Sequence, residues 1–229
     1  MRPDFAEGHC NLGHALRNQG KFAEAAAELR KGHELGTKKP NWRYKSEDWV
    51  RQAEHLAELE RKLPAVLEGK EKPANDADRL TQAWMCQQYK ERYAGAARLY
   101  AELFTAQPKL ADDLRQGHRY NAACAAALAA AGKGADATDL DDTERARLRK
   151  QALDWLRSDL ALWARLAESE KPEERASVQK TLKHWQTDAD LAGIRDQEAL
   201  AKLPQSERDD WRKLWEEVSA VLKRASEPR

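Results

Sequence analysis

The stretch from Phe5 to Leu35 reads FAEGHCNLGHALRNQGKFAEAAAELRKGHEL, and it holds two short helical patterns. In the first pattern, Leu12-Gly13 lies about one turn before Leu16. In the second, apolar and small residues recur at helical spacing, namely Phe22, Ala25, Ala26 and Leu29. Gly20, between the patterns, suits the left-handed residue that ends a helix. The stretch therefore predicts two helices that approach each other closely at small residues.

The order of these residues resembles the tetratricopeptide repeat, a helical pair of about 34 residues. The shared features are a Leu-Gly pair, a Gly-x-aromatic turn and the alanines that follow it. The resemblance implies an all-α fold. It would be a right-handed helical solenoid of about three irregular repeats, with an inserted helix and a C-terminal helical cap.

The resemblance divides the 229-residue chain into five parts. Residues 79–108 repeat the spacing of aromatic residues and alanines seen in the first repeat, although Glu91 replaces the turn glycine. Residues 118–132 align with the opening helix, and a long helix over about 143–166 is expected next. The predicted parts are repeat 1 (1–37), a connector with an inserted helix (38–76), repeat 2 (77–110), a divergent repeat 3 with a long second helix (111–167) and a C-terminal helical cap (168–229).

Local signals predict where several helices begin. Ser46 before Glu47-Asp48 predicts an N-cap followed by an acidic first turn. The apolar stripe of the inserted helix runs from Trp49 to Pro64. Asn75 or Asp76 is expected to cap the helix that follows.

Composition favours helices and argues against nucleic acid as a partner. The apolar share of 41% comes mainly from Ala and Leu, so we predict no strand. Lys and Arg number 40 against 39 Asp and Glu, a net charge of +1. Because nucleic-acid binders carry a basic excess, we interpret the aromatic and basic connector TKKPNWRYKSEDWV (37–50) as packing on helices and not as stacking on bases.

Cysteine usage and hydropathy predict a cytoplasmic protein. Cys10, Cys86 and Cys124 form no CxxC pair and leave one over if any two are joined, so buried free thiols in a reducing compartment are expected. Residues 1–9 lack the apolar core of a signal peptide. The longest apolar run, Ala122–Ala131, is about half a membrane span, so no membrane association is expected.

Four segments carry a second resemblance. They are similar to the C-terminal region of planctomycete tetratricopeptide-repeat serine/threonine protein kinases. In that family a kinase domain lies well upstream of the repeats, and the repeats are taken to recruit partners or substrates. The segments are QQYKERYAGAARLYAELF (87–104), QPKLADDLRQGHRYNAACAAALAAAG (107–132), RKQALDWLRSDLALW (149–163) and HWQTDADLAGIRD (184–196).

No catalytic or metal pattern is present, so we predict no enzyme activity, cofactor or metal. The glycine-rich loop, the VAIK-type lysine, the HRD loop and the DFG motif are missing, and His118-Arg119-Tyr120 lacks the catalytic Asp. Cys10 and His14 are four residues apart, but no third ligand stands at metal spacing. A calcium loop counted from Asp188 fails because alanines, Ala192 among them, fill its fifth and twelfth positions, so we read the aspartates there as caps and turns.

Partner binding is assigned by the resemblance, since the first helix of each repeat lines the concave groove. The alternative for any one of these residues is an ordinary solvated helix face. The lysine–asparagine clamp of the best-known members is incomplete, because Glu7 stands where the lysine belongs and Ala123 replaces a basic residue. The predicted groove residues are Asn11, His14, Asn18, Gln82, Met85, Tyr89 and Arg119.

These features predict a non-catalytic scaffold that binds a partner protein or peptide in the groove. One alternative is a regulatory or substrate-recruiting C-terminal segment of a serine/threonine kinase. Another is a structural module that self-associates through its N-terminal face. Residues 3–7, PDFAE, resemble a junction between repeats, so we expect a fragment or a gene derived from a longer array.

Overall fold

Every regular element between residues 4 and 227, the part of the chain described by the computed structural model, is helical. This confirms the predicted all-α class. Pro3, part of the predicted junction, lies outside the described residues. The chain divides into two compact units, Met1–Tyr89 and Lys90–Arg229, and the division falls inside the predicted repeat 2.

The described residues of the first unit, 4–89, form four helices, and Gly20 stands in the turn between the first two. Its φ of +73° confirms the predicted left-handed turn. The helices are α1 (Ala6–Asn18), α2 (Phe22–Gly36), α3 (Ser46–Leu67) and α4 (Asp76–Gln88).

Gly13 allows α1 and α2 to pack closely. A Cβ atom at Gly13 would lie 2.5 Å from Leu29 Cγ and 3.0 Å from the carbonyl oxygen of Ala25, too close for any side chain. Helix α3 also packs against α2. The resulting core is formed by Cys10, Ala26, Leu29, Val50 and Ala53, with Trp42 and Trp49 packed against it.

Of the two N-caps predicted in this unit, the one at Asn75 is confirmed and the one at Ser46 is wrong. Asn75 caps α4, because its Oδ1 accepts a hydrogen bond from the Asp78 backbone N–H at 2.9 Å. The N-cap prediction for Ser46 is wrong: Ser46 is the first residue of α3 and its hydroxyl makes no cap. That hydroxyl is buried instead between Trp42 Nε1, at 2.9 Å, and His33 Nδ1, at 2.8 Å. Helix α3 also continues past Pro64 to Leu67.

The second unit contains eight α-helices and a 3-10 turn (Ala189–Leu191) within the described residues. Two aspartates fix helix starts: Asp141 Oδ1 accepts from the Glu144 N–H at 2.8 Å, and Asp136 accepts from the N–H of Gly95 at 2.9 Å. The helices are α5 (Tyr93–Ala106), α6 (Pro108–Ala111), α7 (His118–Ala130), α8 (Asp142–Ala167), α9 (Pro172–Thr187), α10 (Ala192–Arg195), α11 (Gln197–Leu200) and α12 (Gln205–Ser226).

Alanines let α7 pack closely between α5 and α8. Seven alanines of α7 between Ala122 and Ala130 are buried, and a small side chain permits a short distance between helix axes. Helix α12 packs against both α8 and α9, with Trp211 and Trp185 among the fully buried side chains. Among residues 4–227, no helix is both long enough and apolar enough to cross a bilayer.

Candidate functional site

The three predicted groove residues of α1 have different surroundings. Asn11 and Asn18 are exposed. His14 is half-buried, and its ring packs edge-on against Trp49 with 4.8 Å between the ring centroids. Burial lowers the pKa of His14, and the charge of Arg17 lowers it further. His14 therefore contributes to packing, which leaves the two asparagines as the solvent-facing pair.

Gln82 and Met85 are interior residues of α4, with 1% and 0% of their surface exposed. Their assignment to a groove surface is wrong in this structure, because the α4 face that carries them packs inward. Gln82 Nε2 donates to the carbonyl oxygen of Leu59 at 3.1 Å and so links α4 to α3. Its Oε1 is buried and accepts no hydrogen bond from residues 4–227.

Tyr89 supports the turn between α1 and α2. Its ring packs edge-on against Trp84 and Phe22, with centroid distances of 4.9 Å and 5.4 Å. A Cβ atom at Gly20 would lie 2.4 Å from Tyr89 Cδ1, so the ring also covers that glycine. Tyr89 is half-buried and belongs to an aromatic cluster, in which Trp84 keeps 36% of its surface exposed.

Arg119 is buried, with 8% of its surface exposed, so its assignment to an open groove is also wrong. Its guanidinium group donates to Asp159 Oδ1 at 3.0 Å and pairs with Asp112 through Nη2. Arg119 therefore joins α7 to α8 and to the turn before α7.

A second polar cluster connects α7 to the end of α9. The Tyr120 hydroxyl donates to Asp188 Oδ2 at 2.6 Å, and His184 Nε2 lies 3.1 Å from the same oxygen. Asp188 Oδ1 accepts the N–H of Asp190 at 2.9 Å, which confirms Asp188 as a cap. Ligand-type atoms of Cys124, Asp188 and Asp190 lie within 4.8 Å of one another.

Cys124 of this cluster lacks the features of a catalytic nucleophile. Burial raises the pKa of the Cys124 thiol well above its usual value, and the charges of Asp188 and Asp190 raise it further. A nucleophilic cysteine needs a lowered pKa and access to solvent, whereas Cys124 is 2% exposed. Asp188 accepts hydrogen bonds from Tyr120 and from the Asp190 backbone, so we interpret the cluster as a tertiary link between α7 and the end of α9.

A cleft of about 960 Å³ opens in the second unit between α8, α9 and the turn before α7. We call it the α8–α9 cleft. Trp163, Leu162, Leu166 and Leu114 supply its apolar surface. The charged residues that line it are Asp112, Asp113, Arg115, Arg165, Lys171, Glu173, Glu174 and Lys180. Two other clefts of the same unit are smaller, with volumes of about 500 and 350 Å³.

Helical periodicity builds the walls of this cleft. Leu162 and Leu166 are four residues apart, so they lie on one face of α8. Glu173, Ser177 and Thr181 form the corresponding row on α9. Val178 and Leu182 of α9 are fully buried, so the row borders the face that packs into the core. The helices were predictable, but the cleft joins three separate segments and has no signal in any one of them.

No protein-family model, no curated protein and no solved structure matches this chain. The resemblances to tetratricopeptide repeats and to kinase C-terminal regions therefore remain predictions from sequence. The geometry of the α8–α9 cleft carries the functional argument instead.

Proposed function

We propose that this chain is a non-catalytic interaction module that binds a segment of a partner protein in the α8–α9 cleft. The observation that carries this proposal is the cleft itself, about 960 Å³ with an apolar floor and charged side chains at its edges. Its volume falls in the range of ligand pockets, roughly 300–1,000 Å³. A groove between two helices also suits a peptide that places side chains at helical spacing on an apolar floor.

The same proposal includes the repeat type, the cellular compartment and the relation to a kinase. The close α1–α2 pair, with Gly13 at the crossing and Gly20 in the turn, supports a tetratricopeptide-type hairpin. Three buried cysteines that form no disulfide support a reducing compartment such as the cytoplasm. In a kinase of the kind that the sequence resembles, the cleft would recruit a substrate or regulator for a catalytic domain elsewhere.

Selection from a random-peptide display library with the intact protein as bait tests the proposal. Enriched peptides are then measured by fluorescence polarisation against wild type, Ser177→Trp and Ser158→Trp. Both serines are exposed and donate to the carbonyl four residues earlier, at 2.9 Å and 2.8 Å. Ser177 lines the cleft, whereas Ser158 lies on α8 outside its lining.

We expect Ser177→Trp to fill the cleft and weaken peptide binding about tenfold or more, with Ser158→Trp within about threefold of wild type. Circular dichroism establishes that both variants are folded. The proposal is overturned if the library yields no enriched peptide, or if the enriched peptides bind Ser177→Trp as tightly as wild type.

A further inference from the structure

The cations of the α8–α9 cleft are only partly neutralised by the protein. Arg115, Arg165 and Lys180 are exposed and line the cleft. Within residues 4–227, none of these three side chains has a carboxylate within ion-pair distance. Lys171 is the exception, since its Nζ lies 2.9 Å from Glu174 Oε1. Three positive charges therefore face the cleft without an ion-pair partner in the part of the chain that the structure describes.

Two of the four anions of the same cleft pair with a cation among residues 4–227. Asp112 pairs with Arg119, and Glu174 pairs with Lys171. Asp113 Oδ1 accepts backbone hydrogen bonds, including that of Arg115 at 3.0 Å. The four cations and four anions of the lining cancel in formal charge, but among residues 4–227 three cations and only two anions, Asp113 and Glu173, lack an ion-pair partner.

From this imbalance, and resting on the proposed function, we infer that the occupant of the cleft is an acidic amphipathic peptide segment of a partner protein. Large apolar side chains of the peptide pack on Leu162 and Leu166. Its carboxylates pair with Arg115, Arg165 and Lys180. Arginine suits this role because its planar fork binds a carboxylate through two hydrogen bonds.

Other occupants fit the lining less well. A nucleic-acid backbone of sugars and phosphates has no large apolar side chain to pack on Leu162 and Leu166. A basic peptide would leave the three unpaired cations facing like charges, which disfavours a partner. The apolar floor also requires a partner with large apolar side chains, which excludes a purely polar acidic tail as a full match.

Three labelled peptides of about twelve residues test this inference with the intact protein. The first has leucines four apart with glutamates between them; its lysine twin replaces each glutamate, and its serine twin replaces each leucine. Binding is measured by fluorescence polarisation to wild type and to Arg115→Glu/Arg165→Glu/Lys180→Glu. The control, Lys202→Glu/Lys213→Glu/Lys223→Glu, changes net charge equally at exposed lysines outside the cleft lining.

We expect the acidic peptide to bind wild type about tenfold or more tightly than either twin. Reversal of the cleft charges should weaken its binding about tenfold or more, and the control reversal less than about threefold. Equal binding of the lysine twin overturns the inference, as does an equal loss in the control variant, which would indicate non-specific attraction. So does a dimer in light scattering that Ser177→Trp abolishes, because a second copy would then occupy the cleft.

The experiments distinguish failure of the cleft as a binding site from failure of the acidic peptide as its occupant. If peptides selected from the random library lose binding to Ser177→Trp but are not acidic, the cleft remains a binding site and only the acidic partner is wrong. If no peptide depends on Ser177, the cleft itself is not the binding site.

Discussion

Arg119 donates a hydrogen bond from Nη1 to Oδ1 of Asp159 over 3.0 Å, and this pair joins α7 to α8 inside the second unit. Asp159 is 2% exposed. Burial raises the pKa of Asp159 to about 6, although the charge of Arg119 pulls it in the opposite direction. The protein therefore contains a buried charge pair whose carboxylate titrates near neutrality.

We expect Asp159 to add to the free energy of unfolding as the pH falls from about 7 to 5. The folded protein takes up a proton near pH 6, whereas the unfolded chain, with an ordinary pKa of 3.8, takes it up only at lower pH. Since the folded state then binds more protons, this contribution is fully present below about pH 4 and is lost as the pH rises through about 6. Its size is on the order of 2–3 kcal/mol, at 1.36 kcal/mol per pKa unit.

Urea unfolding of wild type and Asp159→Asn at a series of pH values measures this contribution. The stability difference between the two proteins should change with pH in the stated direction, because the variant cannot titrate at this position. Asp154→Asn is the matched control, since Asp154 lies on the same helix, 55% exposed, and pairs with Lys150 at 2.9 Å. A difference for Asp159→Asn as flat as that for the control would contradict the prediction.

Replacing Arg119 alone should destabilise the protein more than replacing the whole pair. Arg119→Met leaves the Asp159 carboxylate buried without its partner, at a cost of about 3 kcal/mol at neutral pH. The double variant Arg119→Met/Asp159→Leu removes both charges and should recover more than half of that loss. Urea titrations at pH 7 compare the three proteins, and equal stability of the single and double variants would argue against a structural charge pair.

The structural role of Arg119 was beyond the reach of the sequence, because Asp159 lies 40 residues away. The same holds for Gln82, whose backbone acceptor on Leu59 is 23 residues distant. Both stood at positions where the repeat pattern places groove residues. Which face of a helix is covered depends on its neighbours in space, and periodicity within one segment does not identify them.

Local signals were more informative, because their causes lie within a few residues. Gly20 has the predicted positive φ, and Asn75 caps α4 through the N–H three residues on. Ser46 shows the limit of such signals. Its hydroxyl pairs instead with Trp42 Nε1, four residues earlier, and with His33 Nδ1 of α2.

Glu91→Gly should stabilise the protein. Glu91 has a φ of +48° and stands where the first repeat has Gly20, with a φ of +73°. A left-handed conformation costs a side-chain-bearing residue roughly 1–2 kcal/mol, partly offset by the greater freedom of glycine in the unfolded chain. We expect a net gain of about 0.5–1 kcal/mol in the free energy of unfolding.

Gly20→Ala tests the same argument in the opposite direction. It should destabilise the protein, because the added Cβ atom also contacts Tyr89. Urea unfolding measures both, and a loss of stability in Glu91→Gly would contradict the prediction.

The thiols should react slowly in the folded protein. Cys10, Cys86 and Cys124 are buried and form no disulfide, and burial raises the pKa of Cys10 and Cys124. Only the thiolate attacks a disulfide reagent, and access to a buried sulfur requires local opening. With Ellman's reagent near pH 8, we expect the thiols to react about a hundredfold or more slowly than those of the urea-unfolded chain.

The variant Cys124→Ser identifies the contribution of the Cys124 thiol by difference. A fast phase that disappears in Cys124→Ser would mean an accessible thiolate beside Asp188 and His184, and the case for a non-catalytic cluster would then fail.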